Sequence, residues 1–145
     1  MNENSIRSIE QGRAKFAYDQ VKDIADLDPD QDGLDSQESE RIKDLQKKYK
    51  SGAKKLPVLI KTNGLGQALA FIKRRDAGNE KLYDMIGRWL TCKQLIALDD
   101  NTELVEVVIK EPSNEYRRLT IETLALLNWV RRFVDGLMDK VEEDS

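Results

Sequence analysis

One stretch, Lys54-Lys-Leu-Pro-Val-Leu-Ile-Lys-Thr-Asn-Gly-Leu-Gly-Gln-Ala-Leu-Ala-Phe-Ile-Lys-Arg-Arg75, constrains the fold most, because two apolar helical patterns meet in it at Asn63-Gly64. Leu56, Leu59 and Ile60 stand three and four residues apart before the break, and Leu65, Ala68, Leu69 and Ile72 do so after it. Each half therefore predicts a helix with one apolar face. Asn-Gly is a turn pair: the glycine adopts the left-handed conformation that closes the first helix, and the second then starts with exposed backbone N–H groups at Leu65 to Gln67. A helix start beside lysines could hold an anion, while the plainer reading is a helix-turn-helix joint placed for packing.

The rest of the chain continues in the same style. Its 145 residues suit one domain with a modest core, and a hydrophobic share of 39% beside a charged share of 35%, with three prolines and eight glycines, points to a charged helical protein in water. The fold class expected is all-α: a single compact helical-bundle domain of about six helices over residues 1–145. No run reaches the length of a membrane span, and the Met1 to Arg7 segment lacks the apolar core of a signal peptide, so a cytoplasmic protein without membrane contact is expected. Cys92 has no internal partner; Leu90, Leu95 and Ile96 around it suggest a buried or half-buried residue rather than a reactive thiol. The sequence contains no histidine, which removes the commonest general base, the Ser-His and Cys-His nucleophile pairs and the usual zinc ligands. No catalytic residue, cofactor or resident metal is expected.

Ile6 to Leu27 reads as a first helix, with Ile9, Phe16, Ala17, Val21, Ile24 and Ala25 on one face and Arg7, Arg13, Lys15 and Lys22 on the rest. Ser8 and Gln11 spell a capping box that places its start near Ser8, and Pro29 stops it. The segment Asp28 to Glu40 opens like a calcium loop, with Asp28, Asp30 and Asp32 at the first, third and fifth positions and Gly33 at the sixth. It does not end like one: the twelfth position, where a bidentate glutamate belongs, is Ser39, and the eighth is Asp35 in place of an apolar residue. An acidic surface loop over about residues 26–40 is the expectation, with a calcium-binding EF-hand-like module through Asp28, Asp30 and Asp32 as the alternative.

From Ser39 a long helix carries the apolar stripe Ile42, Leu45, Tyr49, Ala53, Leu56 and Ile60. At about 100° per residue, Lys43, Lys47, Lys50, Lys54 and Lys61 fall within about 40° of one direction, in a row about 27 Å long and roughly a third of a turn from the apolar face. Solvated faces ordinarily interleave Glu and Lys at four-residue spacing, because opposite charges there stabilise a helix and like charges do not. Only Asp44 interrupts the basic run from Arg41 to Lys61. The row is a candidate polyanion-binding surface, set against a merely solvated face, and Gly52 and Pro57 are expected to kink it.

Lys73, Arg74 and Arg75 end the third helix, where a dipole role competes with ligand binding. Asp76 to Asn79 reads as a turn, and Glu80 to Ala97 as a helix with Leu82, Met85, Ile86, Trp89, Leu90 and Ile96 inward. Leu104 to Ile109 is read as a short helix capped near Asn101 or Thr102, since a lone strand would have no partner. The last helix, about Glu115 to Val141, places Tyr116, Leu119, Thr123, Leu127, Val130, Val134, Leu137 and Val141 at spacings of three and four. Arg117 with Arg131, and Arg118 with Arg132, are nearly eclipsed and either extend a basic surface or pair with Glu115, Glu122 or Asp135. Glu142 to Ser145 is expected to be a frayed acidic end.

Three blocks, Ser8 to Tyr18, Tyr49-Lys50 with Lys54 to Phe71, and Glu115 to Thr120 continuing through Leu126 to Phe133, resemble in order the small helical subunit of the Cmr complex, the type III-B CRISPR RNA-guided effector. The acidic loop from Asp26 to Glu40 lies outside the resemblance. The resemblance implies an all-helical, non-catalytic subunit of a ribonucleoprotein in antiviral defence. Copies of it would stack into a minor filament beside the backbone subunits that carry crRNA, contact the large multidomain subunit, and help form the groove where target RNA pairs with the guide. RNA cleavage would belong to the other subunits. Sequence choice by base pairing would leave this chain to read phosphate and sugar. The RNA-binding candidates are then Lys43, Lys47, Lys50, Lys54, Lys61, Arg74, Arg75, Arg131 and Arg132. A helical protein-binding adaptor without direct RNA contact is the alternative.

Overall fold

The computed structural model describes residues 3–143. Six helices make up the fold among these residues: α1 (Glu3–Ala25), α2 (Ser36–Asn63), α3 (Leu65–Ile72), α4 (Ala77–Cys92), α5 (Leu104–Lys110) and α6 (Ser113–Leu137). The all-helical reading holds, including the helix over Leu104–Lys110 where a strand was the alternative. α1 packs along α6, and α2 is the central element, lying against α4, α6 and α3; α5 closes over α3. The apolar spacings dictate this arrangement. Ala17, Val21 and Ile24 from α1, Tyr49, Ala53, Leu56 and Ile60 from α2, Leu65, Leu69 and Ile72 from α3, Leu82, Ile86 and Leu90 from α4, and Leu119, Leu127, Val130 and Val134 from α6 meet in one buried cluster. Each large apolar side chain in it contributes about 2 kcal/mol.

The joint at Asn63-Gly64 is as tight as a helix junction can be. Gly64 alone separates α2 from α3, at φ +90° and ψ 156°, a region that L side chains avoid. Its N–H donates to the Ile60 carbonyl at 2.8 Å. Of the N–H groups at the α3 start that could hold an anion, that of Gly66 is engaged from within: it donates to the Tyr116 hydroxyl at 2.8 Å, in keeping with a joint placed for packing.

Several helix ends differ from expectation, two of them because an aspartate caps the helix start. α1 starts at Glu3 rather than near Ser8. α2 starts at Ser36, because Asp35 serves as its N-cap and accepts from the Glu38 N–H, so the acidic loop shortens to residues 26–35. Asp76 caps α4 through the Asn79 N–H, which turns the expected 76–79 turn into the first turn of that helix. α4 also ends at Cys92, five residues early, with Gln94 at φ +60°, and leaves Cys92 exposed rather than buried or half-buried. Glu103, with no side-chain cap, precedes α5 in place of Asn101 or Thr102.

α2 runs unbroken through Gly52 and Pro57. Gly52 is there for close packing: a Cβ would stand 2.7 Å from Asn79 Oδ1 and 2.8 Å from Leu82 Cδ1. Gly78, opposite it on α4, is more constrained still, because a Cβ would lie 2.3 Å from the Tyr49 backbone nitrogen. This near-contact of backbones sets where α4 crosses α2. No helix among the described residues is long and apolar enough to cross a membrane.

Candidate nucleic-acid interface

Helix geometry aligns the lysines of α2 in one row, and tertiary packing divides it. Lys43 is exposed, with Glu40 3.7 Å away, and Lys61 is exposed at the other end. Lys47 is half-buried. Lys43 and Lys47 share a concavity of about 550 Å³ with Glu40, Asp44 and Glu142, so the charge there is mixed.

Lys50, expected in the exposed row, is placed inside the fold. It is 6% exposed, and its ammonium donates to the Met138 carbonyl at 2.7 Å and to the Val141 carbonyl at 2.8 Å. These carbonyls stand where α6 ends, a place short of N–H partners and rich in negative partial charge, so a cation is stabilising there. Lys50 is thus a fastener between α2 and the end of α6. Lys54, one turn on, pairs with Asp135 at 2.9 Å and with Glu143. The Glu143 carboxylate, then Asp135, holds the Lys54 ammonium above its ordinary range, and Lys54 holds the Glu143 carboxyl below the usual one. The acidic end expected to fray is therefore docked as far as Glu143; Asp144 and Ser145 lie outside the described residues.

Among the arginines, Arg74 and Arg75 are exposed at the end of α3, and the Arg75 guanidinium sits over the Phe71 ring at 4.6 Å. Arg131 and Arg132 are exposed on α6, with Arg132 over Trp129 at 5.7 Å. The Trp129 indole donates to Glu10 of α1 at 3.0 Å, which puts this pair on the α1–α6 side and Arg75 on the α2–α3 side. The fold does not bring all of these cations onto one surface. Arg118 approaches Glu115 at 4.0 Å.

A polar cluster escaped sequence reading. Arg13, expected among the surface cations of α1, bonds Glu122 of α6 through Nε at 3.0 Å and through a terminal nitrogen at 2.8 Å. The Trp89 indole of α4 donates to the same carboxylate at 2.9 Å. Arg13 holds the Glu122 carboxyl below its ordinary range, against the opposing effect of burial. The arrangement locks α1, α4 and α6 together, and Phe16 packs on Trp89 at 4.8 Å beside it. Its partners are 109 and 33 residues apart in sequence, so no spacing could announce it.

In the acidic loop, Asp28 accepts from the Asp30 N–H at 2.9 Å and Asp35 is committed to its cap. Asp28, Asp30 and Asp32 do not converge, and no group of three acidic, cysteine or histidine side chains placed to hold a metal ion occurs among the described residues.

The family model for CRISPR-associated protein (Cas_Cmr5) matches residues 9–137. A curated relative, the CRISPR system Cmr subunit Cmr5 of Thermus thermophilus, is 36% identical over 92 residues, which is 63% of this chain and 76% of the relative. Among solved structures, the crystal structure of a CRISPR-associated Cmr5 family protein from the same organism aligns at a TM-score of 0.66 with 29% identity, covering 88% of this chain and 98% of that one.

Proposed function

Since the chain belongs to the Cmr5 family, the small structural subunit of the type III-B Cmr complex, we propose that it acts as one non-catalytic helical unit that stacks with copies of itself into a minor filament and contacts RNA backbone. Its neighbours in this reading are the large multidomain subunit and the backbone subunits that carry crRNA, in the cytoplasm, with target RNA in the groove beside them. The observation that carries the reading is the set of cations whose side chains still reach solvent: Lys43, Lys47 and Lys61 along α2, Arg74 and Arg75 at the end of α3, and Arg131 and Arg132 on α6. Lys50 and Lys54 leave the set because they fasten the protein's own C-terminal segment. Backbone contact needs only positive charge in position, which is why a chain without histidine can serve.

The test is a Lys43→Glu, Lys47→Glu, Lys61→Glu variant assembled into the complex. Retention of target RNA should fall about tenfold or more and lose part of its salt dependence, each lost phosphate contact lowering the slope by about one, while circular dichroism stays unchanged. Retention equal to the parent complex would make the row a solvated face and leave the adaptor reading.

A further inference from the structure

α2 carries a second basic surface, turned about 110° from the first at helical spacing. A groove of about 480 Å³ opens there between the C-terminal half of α2 and the α3–α4 corner. Its apolar wall holds Val58, 59% exposed, and Phe71, 52% exposed, with Leu59 half-buried beside them. Lys48, Lys55 and Arg75 line it as well. The polar groups within are committed: Thr62 Oγ1 donates to the Val58 carbonyl at 2.9 Å, and Asn79 Nδ2 donates to Asp76, the one carboxylate lining the groove among the described residues and already the cap of α4. A nucleobase would find few edge partners there, and a phosphate chain would leave Val58 and Leu59 bare. Apolar side chains flanked by carboxylates match both wall and rim.

The chain itself supplies such a segment. The loop of residues 26–35 presents Leu27, 36% exposed, and half-buried Leu34 among the exposed carboxylates of Asp28, Asp30 and Asp32. It is held in tight turns by bonds such as Gln31 N–H to the Asp28 carbonyl. It cannot enter its own groove, because Ser36 to Val58 spans about 33 Å of helix. Loop and groove lie toward opposite ends of α2, so a contact between them in different molecules repeats without closing and builds an open row.

We propose that the acidic loop of one copy docks in the α2–α3 groove of the next, with Leu27 on Val58 and Phe71 and the loop aspartates facing Lys55 and Arg75. This rests on the stacking proposed above and assigns the surfaces that make it.

Sedimentation velocity tests it with two variants: a groove variant, Phe71→Asp with Arg75→Glu, and a loop variant, Leu27→Ser with Asp28→Lys. The wild-type chain should associate with rising concentration. Each variant alone should stay monomeric with unchanged helicity, and an equimolar mixture should give a dimer that grows no further, since only one intact groove meets one intact loop. Wild-type protein that remains monomeric to millimolar concentration overturns the proposal. So does association undiminished in either variant, which would leave stacking standing on another surface. Uridine 20-mer binding that is lost only in the groove variant, with self-association unchanged, would give the groove to nucleic acid and likewise overturn it.

Discussion

Two basic faces of one helix meet opposite fates. On the first, Lys50 and Lys54 are consumed by the protein's own C-terminal segment, through the Met138 and Val141 carbonyls and the carboxylates of Asp135 and Glu143. On the second, Lys55 and Arg75 border Val58 and Phe71, which stay more than half exposed even with the Arg75 guanidinium over the Phe71 ring. Both faces are spelled with lysines at helical spacing, and the difference lies in what packs beside them. The end of α6 is carried onto the first face because α6 runs along α2. The second face lies at the corner where the chain turns through Gly64 into α3 and on into α4. The middle of the more regular stripe is structural while its ends reach solvent, and the more open groove is a second candidate for a partner.

The largest effect should come from damaging the wall of the second face. Gly78→Ala places a methyl group 2.3 Å from the Tyr49 nitrogen and 2.6 Å from the Lys48 carbonyl carbon, and backbone cannot give way as a side chain can. The α4 N-terminus must lift, at a cost of about 3 kcal/mol, read by urea unfolding. A cost within experimental error would mean that α4 does not approach α2 so closely, and the groove would lose its geometry.

Lys50→Met tests the first face at about 2 kcal/mol, because it preserves the aliphatic stem and strands the buried Met138 carbonyl and the part-buried Val141 carbonyl. Amides of residues 138–141 should exchange with solvent faster in this variant while those around Phe71 keep their rates. Unchanged exchange in both places would show that the segment is held without Lys50, and would erase the contrast between the faces.

The smallest effect is a titration. The Glu143 carboxyl has a lower pKa folded than unfolded, so its pairing stabilises above the unfolded value and is lost as pH falls through the folded one; Lys54, raised, contributes below its unfolded value and loses that contribution as pH rises through its folded one. The contact is therefore complete at neutral pH and weakens in acid. Carbon-detected NMR of Glu143 should give a midpoint below that of an ordinary glutamate, returning to the ordinary range in Lys54→Met. An ordinary midpoint in the parent protein would mean that the tail does not sit on Lys54 in solution.

Much of this was legible in the residues. The faces of α2, α3 and α6 follow from spacings of three and four, and the Gly64 joint from an Asn-Gly pair. Burial of Trp89 at 4% exposure follows from its apolar neighbours on α4. Helix starts were less legible: Asp35 and Asp76 are ordinary aspartates until their carboxylates are seen to accept from the third residue onward. Cys92 was misplaced because α4 ends at it, and its apolar neighbours Leu95 and Ile96 lie beyond the helix rather than on its inward face. The Arg13–Glu122–Trp89 cluster joins three helices and leaves no trace in any one of them.

By itself, then, the sequence determined six amphipathic helices, their inward faces, the place where α2 becomes α3, and a family resemblance that comparison supports. Tertiary structure alone decided which cations remain in water. Periodicity assigns each residue an angle relative to its own helix's apolar stripe, because that angle depends only on local geometry. Whether a lysine at a given angle meets solvent or a carbonyl depends on what is packed against it. For Lys50 that neighbour is the Met138 carbonyl, 88 residues away along the chain.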